Sequence, residues 1–390
     1  MKRSIMKKIS LAVVTVYFTL SLAACGTAIS GSGSGDDCCD TEIEDCCNTG
    51  SDDDCCEDGN NNVVLAEHAG TVDVNYAELS EEELDALYRA EPASGRTIHI
   101  GYSGGLCQAA IPVAQHYGFF EEEGLTTELV SSDDARDALA AGKIDTSAGM
   151  IAQWLTSVQN GVDIRFTLGL HTGCAAAVVL PDSGYDGFEK GMKIGFVGAF
   201  GGVYHNIGLR FVAHDGFSTD DFTWLGFDQS AILLALQEGE VDAIVVSEQL
   251  SQKWVEDGDV KTIRSLTTDD DFKDEACCVL GISGTFLEEN PVTSYKITRA
   301  VYRASLWIAE SEENRLEAAK MMVENGYVSG TPEYSFKLLN YYKFGLTPVD
   351  TAKSLYDSVD EYIQLGILSP DTDPEKFKNQ IYYAYDLGDL

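Results

Sequence analysis

The side chains best suited to chemistry fall into two groups of cysteines with different surroundings. Six of the 11 cysteines form three adjacent pairs in Asp36–Cys56, "DDCCDTEIEDCCNTGSDDDCC", among many carboxylates. Thiolates beside carboxylates could bind soft or borderline metal ions, or could form disulfides. The other group lies in apolar sequence and comprises Cys107, Cys174, Cys277 and Cys278.

The second group allows three interpretations. In an oxidising compartment, a disulfide between Cys174 and either Cys277 or Cys278 is the leading prediction. Buried free thiols are the second interpretation. Because His171 and Cys174 are three residues apart, a metal site made of His171, Cys174, Cys277 and Cys278 is the third. We predict the disulfide, and we predict no metal and no cofactor.

The N-terminus indicates where the protein works. A basic start, Lys2–Lys8, precedes the apolar run Ile9–Leu20, which is short for a membrane span. The following Leu22–Cys25, "LAAC", resembles the lipobox of bacterial lipoproteins. The resemblance implies that residues 1–24 are a signal peptide and that Cys25 is lipidated, on the extracytoplasmic face of the cell membrane. The alternative is ordinary secretory cleavage beside an incidental cysteine.

Charge and composition exclude one class of partner and define a tether. With 64 acidic against 26 basic residues, the chain lacks the clustered cations that nucleic acids require. Residues 25–62 are rich in Gly, Ser, Asp and Cys, so we predict a disordered acidic tether, with metal capture or crosslinking as a second role. Residues 63–96 are predicted to be a short helical lead-in, in which Ser80 and Glu83 form a capping box.

From Thr97 onward, short β-strands alternate with amphipathic helices, which predicts an α/β fold with mixed sheets covered by helices. We predict two lobes and a helical C-terminal portion. Residues 97–182 and 277–390 form lobe 1, and residues 187–267 form lobe 2. The chain is expected to cross between the lobes near Pro181–Lys190 and again near Thr267–Ala276.

Three segments carry a family resemblance. They are "HIGYSGGLCQAAIPVAQHYGFFEEEGL", "ALAAGKIDTSAG" and "LQEGEVDAIVVSEQL". Together they resemble the solute-binding proteins of ABC importers for nitrate, sulfonates, taurine and pyrimidine (thiamine) precursors. The resemblance implies a two-lobed periplasmic-binding (Venus flytrap) fold that delivers a small molecule to a permease and its ATPase. It implies no catalytic residues, so we predict that the protein is not an enzyme.

Ligand contacts in such a fold come from strand-end loops and helix N-termini facing the cleft. The predicted contacts are Gly104, Gly105, Leu106, Cys107, Gly149, Met150, His171, Thr172, Gly202, Val203, Tyr204, Asp228, Gln229 and Glu248. These loops hold no Lys or Arg, so we predict a neutral or weakly basic planar solute rather than a sulfonate or nitrate. Stacking is expected from Tyr102, Trp154, Phe200 and Tyr204. For Glu248 the alternative role is that of a first-turn acid stabilised by the helix dipole.

Three other functions remain open at this point. A sensory solute-binding module would share every feature described so far. A metal-binding surface lipoprotein would depend on the acidic cysteine tract. An enzyme of the same fold, related to thiamine-precursor synthesis, would need a nucleophile and a base, and the sequence contains no His-Glu-x-x-His motif or phosphate-binding loop.

Overall fold

The computed structural model describes residues 74–131 and 134–388. The predicted signal peptide, the lipidated Cys25 and the acidic tether lie outside the described residues. The strands are β1 (Thr97–Tyr102), β2 (Thr126–Ser131), β3 (Thr146–Met150), β4 (Ile164–Thr172), β5 (Ala175–Val179), β6 (Lys193–Val197), β7 (Thr223–Phe227), β8 (Ala243–Ser247), β9 (Lys261–Ser265) and β10 (Ala276–Ser283).

The helices surround these strands and dominate the C-terminal part of the chain. They are α1 (Glu81–Ala90), α2 (Ala110–His116), α3 (Phe119–Glu122), α4 (Ala135–Ala140), α5 (Ile151–Gln159), α6 (Val203–His214), α7 (Ile232–Gln237), α8 (Glu248–Asp257), α9 (Gly284–Glu289), α10 (Pro291–Glu310), α11 (Glu312–Glu324), α12 (Pro332–Tyr341), α13 (Pro348–Gln364) and α14 (Pro374–Ile381). Among the described residues, no helix is both long and apolar enough to cross a membrane.

The strands form two mixed five-stranded sheets. The first has the order β2-β1-β3-β10-β4, in which β10 runs antiparallel to both of its neighbours. The second has the order β7-β6-β8-β5-β9, in which β5 runs antiparallel to both of its neighbours. The central strand β5 is buried along its whole length, as its uninterrupted apolar sequence requires when helices cover both faces. The predicted fold class is confirmed.

Local sequence signals explain where several helices begin. At α1 the Ser80 side chain accepts a hydrogen bond from the Glu83 N–H while the Glu83 carboxylate accepts one from the Ser80 N–H, which is the predicted capping box. Helix α13 begins with the same arrangement at Thr347. The N-cap of α4 is Asp134, whose carboxylate accepts from two backbone N–H groups.

The chain crosses between the sheets twice, and one crossing differs from the prediction. The first crossing is the two-residue connection 173–174 between β4 and β5, not the segment Pro181–Lys190. Predicted lobe 1 contains β5, but β5 belongs to the second sheet, because an apolar run does not reveal which sheet it joins. The second crossing, 266–275, overlaps the predicted Thr267–Ala276. Below, the first lobe denotes residues 97–172 and 276–388, and the second lobe denotes 175–265.

Candidate functional site at the crossing between the lobes

The first crossing is held in an unusual backbone conformation. Gly173 has φ 93°, and a Cβ there would lie 2.3 Å from Thr267 Oγ1, so the position requires glycine. Cys174 follows with φ 116° and is, within the described part of the chain, the one non-glycine residue with positive φ. Its carbonyl accepts a 2.6 Å hydrogen bond from the Glu248 N–H, which ties the crossing to the start of α8. Such strained positions persist only where the surrounding structure holds them, often at functional sites.

Four side chains converge beside this crossing. The donor atoms of Cys107, His171, Cys174 and Cys278 all lie within 4.8 Å of one another. Cys174 Sγ is 3.4 Å from His171 Nε2 and 3.4 Å from Cys278 Sγ. We call this group the His-Cys cluster.

The His-Cys cluster corrects the disulfide prediction. All four described cysteines are free thiols, and the Cys174–Cys278 sulfur distance of 3.4 Å is far longer than the roughly 2.05 Å of a disulfide bond. The prediction placed these cysteines together, and the structure does bring them together. It also adds Cys107, which no spacing rule connects to the others.

Cys107 reaches the cluster from the loop after β1. The loop continues into a short 3-10 turn, Leu106–Gln108. The Gln108 side chain donates a 2.8 Å hydrogen bond to the Ala148 carbonyl and accepts one from the Ser103 N–H, which holds the loop against β3. Cys107 is therefore presented by a braced loop, and it is half-buried where the other three members are buried.

The Gly101–Gly105 segment also has the letters Gly-x-Ser-x-Gly, which in hydrolases mark a nucleophile. Here the Ser103 hydroxyl contacts the Gln108 side-chain oxygen at 3.4 Å. This contact fits a role in bracing the loop, because a nucleophilic serine needs a general base as its partner.

His171 lies on β4 with its tautomer set by the backbone. Its Nδ1–H donates a 2.7 Å hydrogen bond to the Thr172 carbonyl, which can only accept, so Nε2 is the nitrogen that faces Cys174. Burial works against the charged imidazolium, but the neighbouring Cys107 raises the pKa of His171 overall. Hydrogen bonds from Cys174 and Cys278 lower the pKa of Cys107, whereas burial raises the pKa of Cys174.

A β-bulge separates the two adjacent cysteines of β10. Ala276 lies opposite Thr172 and Cys278 lies opposite His171, so Cys277 is the extra residue on its strand. Cys278 therefore belongs to the cluster, while Cys277 lines a small internal cavity together with Gly173 and Arg210.

Glu248 is completely buried next to this crossing. Its carboxylate accepts hydrogen bonds from Gln252 Nε2 at 3.1 Å and Thr267 Oγ1 at 3.2 Å, and Ser265 Oγ lies at 3.4 Å. Burial raises the pKa of Glu248 to about 7. Its side-chain partners lie on α8, at the end of β9 and in the second crossing, which favours the structural role over ligand contact.

An open groove of about 450 Å³ runs between the lobes beside the cluster. Side chains of α4 and α5 in the first lobe form one wall, and the loop from β6 to α6 in the second lobe forms the other. Its lining residues are Arg136, Gln153, Thr156, Val197, Gly198, Ala199, Phe200, Gly201, Gly202, Val203 and Tyr204. The groove thus contains three of the predicted contacts, Gly202 to Tyr204.

Tyr204 connects the groove with the cluster. It lines the groove, and burial raises the pKa of its phenol, an effect to which the neighbouring Cys174 and Cys107 add. Phe200, by contrast, exposes 66% of its surface and packs edge-on against Phe196, with ring centroids 5.1 Å apart. The groove therefore has a buried phenol at one place and a solvent-exposed ring at another.

Arg136 is a groove residue that the sequence did not indicate. It lies in the first turn of α4, where its guanidinium pairs with Asp134 at 2.8 Å. The predicted strand-end contact loops contain no Lys or Arg, and this arginine lies just beyond such a loop, in the first turn of the next helix. The position of Arg136 just after a strand end is a usable sequence signal, because the first turn of a helix that follows a strand end also faces the cleft.

Other predicted contacts lie elsewhere. Asp228 and Gln229 follow β7 and are not groove residues. Gly149 packs against the indole of Trp154, where a Cβ would lie 2.4 Å from Nε1. Trp154 itself is 1% exposed and contacts Phe166, so it is a core residue, and the expectation that it stacks on a solute is wrong. His171 and Thr172 are fully buried.

Comparison with known proteins supports the resemblance seen in the sequence. The 4-amino-5-hydroxymethyl-2-methylpyrimidine phosphate synthase of Aspergillus parasiticus is 27% identical over 253 residues, which cover 57% of this chain and 68% of that protein. The corresponding THI12 protein of Saccharomyces cerevisiae is 26% identical over 221 residues, which cover 51% of this chain and 63% of the yeast protein.

Solved structures share the fold. The alkanesulfonate-binding protein SsuA from Xanthomonas axonopodis pv. citri superposes with a TM-score of 0.58 at 17% identity, covering 76% of this chain and 99% of SsuA. The periplasmic nitrate-binding protein NrtA from Synechocystis PCC 6803 gives 0.61 at 15% identity, covering 73% and 86%. These likenesses show a periplasmic-binding-protein fold.

The family assignment rests on a match that spans both lobes. Residues 91–323, more than half of the chain, match the NMT1-like family. The match includes the loop of Cys107, both crossings and the groove. The protein therefore belongs to the NMT1-like family.

Proposed function

We propose that the protein is an extracytoplasmic solute-binding lipoprotein. It captures a small organic solute between its lobes and delivers it to the permease and ATPase of an ABC importer, while lipidated Cys25 holds it at the outer face of the cell membrane. The observation that carries the proposal is the groove, which takes lining residues from both lobes of a periplasmic-binding fold. A site shared by two lobes couples ligand binding to lobe closure, which a transporter can sense.

Contacts between the lobes support this coupling. Arg210 on α6 of the second lobe donates to Glu361 on α13 of the first lobe at 2.7 Å and to Glu275 at the second crossing at 2.8 Å. These bonds are nearly buried, since Arg210 is 6% exposed. They join the two lobes at one edge, and the groove between the lobes is open to solvent.

The groove favours a neutral or weakly basic planar solute. Its guanidinium, Arg136, is already paired with Asp134, so the groove offers no unopposed cation comparable to those that sulfonate or nitrate binding favours. Phe200 presents an exposed ring for stacking, and Gln153 and Thr156 on α5 supply amide and hydroxyl groups. We propose Phe200 and Gly202–Tyr204 as the main solute contacts.

A thermal-shift screen of the full chain in detergent tests the proposed solute class. The panel comprises pyrimidines, polyamines, alkanesulfonates, taurine and nitrate, because a ligand that binds the folded state raises its melting temperature. We expect a shift with a planar neutral or basic compound. A shift with sulfonates or nitrate alone would contradict the proposed solute chemistry.

Membrane anchoring has its own test. Replacing Cys25 by Ser should move the protein from the membrane fraction to the soluble extracytoplasmic fraction and remove the mass of the acyl chains. Unchanged fractionation of Cys25→Ser would contradict lipid anchoring and leave the solute-binding result unaffected.

A second candidate, an enzyme of pyrimidine synthesis, is favoured by the names of the fungal relatives. The two proposals differ in what happens to the solute after binding. A binding protein should return the bound compound unchanged, as mass spectrometry of the denatured complex would show. Recovery of a chemically altered product would favour the enzyme.

A further inference from the structure

We infer that Cys107, His171, Cys174 and Cys278 form a tetrahedral binding site for a soft or borderline divalent transition-metal ion, with Zn²⁺ as the best fit. The site lies at the first crossing between the lobes and is separate from the acidic cysteine tract. It has three thiol sulfurs and one imidazole nitrogen, a donor set typical of closed structural zinc sites.

The distances within the cluster suit a single ion. A tetrahedral Zn²⁺ with bonds of about 2.3 Å to sulfur places neighbouring ligand sulfurs about 3.7 Å apart. The observed Cys174 separations of 3.4 Å from His171 and from Cys278 are close to this value, and every other pair is within 4.8 Å. Only small side-chain adjustments would bring all four donors to bonding distance. A polynuclear iron–sulfur cluster would need its cysteines much farther apart.

The histidine is already oriented as a metal ligand. A ligating imidazole usually donates its second N–H to a carbonyl or carboxylate, which sets the tautomer and ring direction. His171 does this through the 2.7 Å bond from Nδ1 to the Thr172 carbonyl, leaving the Nε2 lone pair directed toward Cys174. Tyr342 and Phe344 pack against the ring, with centroids 4.8 Å and 5.6 Å away, and restrict its rotation.

The backbone brings the ligands together from four separate places. His171 and Cys278 are paired positions on neighbouring strands, and the bulge at Cys277 puts Cys278 rather than Cys277 opposite the histidine. Cys174 reaches the cluster from its positive-φ position. Cys107 supplies the fourth donor from the braced loop after β1.

The test uses the full chain, with the six tract cysteines (Cys38, Cys39, Cys46, Cys47, Cys55 and Cys56) replaced by Ser so that only the inferred site can bind tightly. The protein is purified reduced, metal-free and without oxygen, and then titrated with Co²⁺. We expect one Co²⁺ per chain, with the near-ultraviolet thiolate-to-cobalt band and the intense visible bands of tetrahedral coordination. Added Zn²⁺ should displace the cobalt and abolish these bands.

Cys277→Ser is the matched control, because it removes the adjacent thiol without removing a ligand. We expect Cys107→Ser to weaken Co²⁺ binding about a hundredfold or more, beyond the loss typical of outer-shell changes, and Cys277→Ser to leave it unchanged. His171→Gln is a second ligand variant, and the metal-free melting curve of each variant verifies that it folds. Absence of saturable binding, or equal losses in Cys107→Ser and Cys277→Ser, would overturn the inference. So would a Cys174–Cys278 disulfide in protein mapped directly from cells.

Discussion

The His-Cys cluster and the groove lie side by side at the junction of the lobes, yet they are built in opposite ways. The cluster takes two of its members from neighbouring strands, buries three of its four and has its histidine oriented by the backbone. The groove is lined by glycines, short loops and an exposed phenylalanine. A buried set of soft donors favours a fixed occupant, whereas an open wall shared by two lobes favours an occupant that enters and leaves. Changes in the cluster, or in the buried contacts of Arg210 between the lobes, should therefore lower the free energy of unfolding. Changes in the groove should reduce solute affinity.

The largest effect is expected from Arg210→Ala at the buried junction. Removing the guanidinium leaves the partly buried Glu275 without its cation and leaves Glu361 with His214 as its remaining partner, so the free energy of unfolding should fall by about 3–5 kcal/mol. Urea denaturation measures this change as a lower midpoint at constant slope. The control is Lys253→Ala, which breaks an exposed ion pair on α8 and should cost about 1 kcal/mol or less. Equal effects of the two variants would show that the junction does not carry the stability assigned to it.

Metal binding should cause the next largest change in the free energy of unfolding. This change should depend on the His-Cys cluster alone. At a free Zn²⁺ concentration of about one hundred times Kd, the tract-serine protein should gain about 2.7 kcal/mol of unfolding free energy. Differential scanning calorimetry with and without Zn²⁺ measures the gain. Cys277→Ser should keep the gain and Cys107→Ser should lose it. A gain retained by Cys107→Ser would place the ion elsewhere.

Phe200→Ala tests the groove side of the comparison. Loss of an aromatic contact should weaken solute binding by about 0.5–1.5 kcal/mol, up to roughly tenfold in Kd. Because the position is exposed, the free energy of unfolding should change by less than about 0.5 kcal/mol. Isothermal titration with the solute found in the screen gives the affinity. Leu234→Ala, at a 58% exposed position on α7, is the control and should change neither quantity. If Phe200→Ala binds the solute as tightly as the parent, Phe200 is not a contact.

The smallest expected effect is a pH-dependent contribution of His214 to the free energy of unfolding. The Glu361 carboxylate, assisted by Asp271, raises the pKa of His214 above its usual value. Because the folded-state pKa is the higher one, this stabilisation is complete below the usual histidine pKa and is lost as pH rises through the folded pKa. Solvent screens the pair, so we expect a fraction of a kcal/mol. The stability difference between the parent and His214→Gln, measured by urea denaturation from pH 5.5 to 8.5, should shrink as pH rises. A constant difference would contradict this.

Much of the fold was predictable because its signals are local. Alternating β and α patterns, the Ser80–Glu83 capping box and the family-like segments each lie within a few tens of residues. They predicted the fold class and the family, and both are confirmed. The first crossing was misplaced because β5 is apolar along its whole length and could belong to either sheet. Only strand pairing assigns it to the second one.

The candidate site was less predictable because its parts are distant in sequence. Trp154 was expected to face a solute, but its ring fills the core against Phe166, and Gly149 makes room for its edge. The sequence does not indicate Arg136, because its place in the groove depends on how α4 lies against the second lobe. The loops with Gly104 and Gly202 carry similar glycine patterns, but only the latter lines the groove described above.

By itself, the sequence determined the residue types, the lobed α/β pattern and the presence of cysteines and a histidine that could act together. It could not decide which of them meet, because Cys174 and Cys278 are 104 residues apart and Cys107 belongs to another loop altogether. The tertiary structure decided this through the bulge at Cys277, the positive φ of Cys174 and the braced loop of Cys107. The physical reason is that a shift of one residue in strand register moves every side chain to the opposite face of the sheet. That register is set by pairing between segments that are distant in sequence.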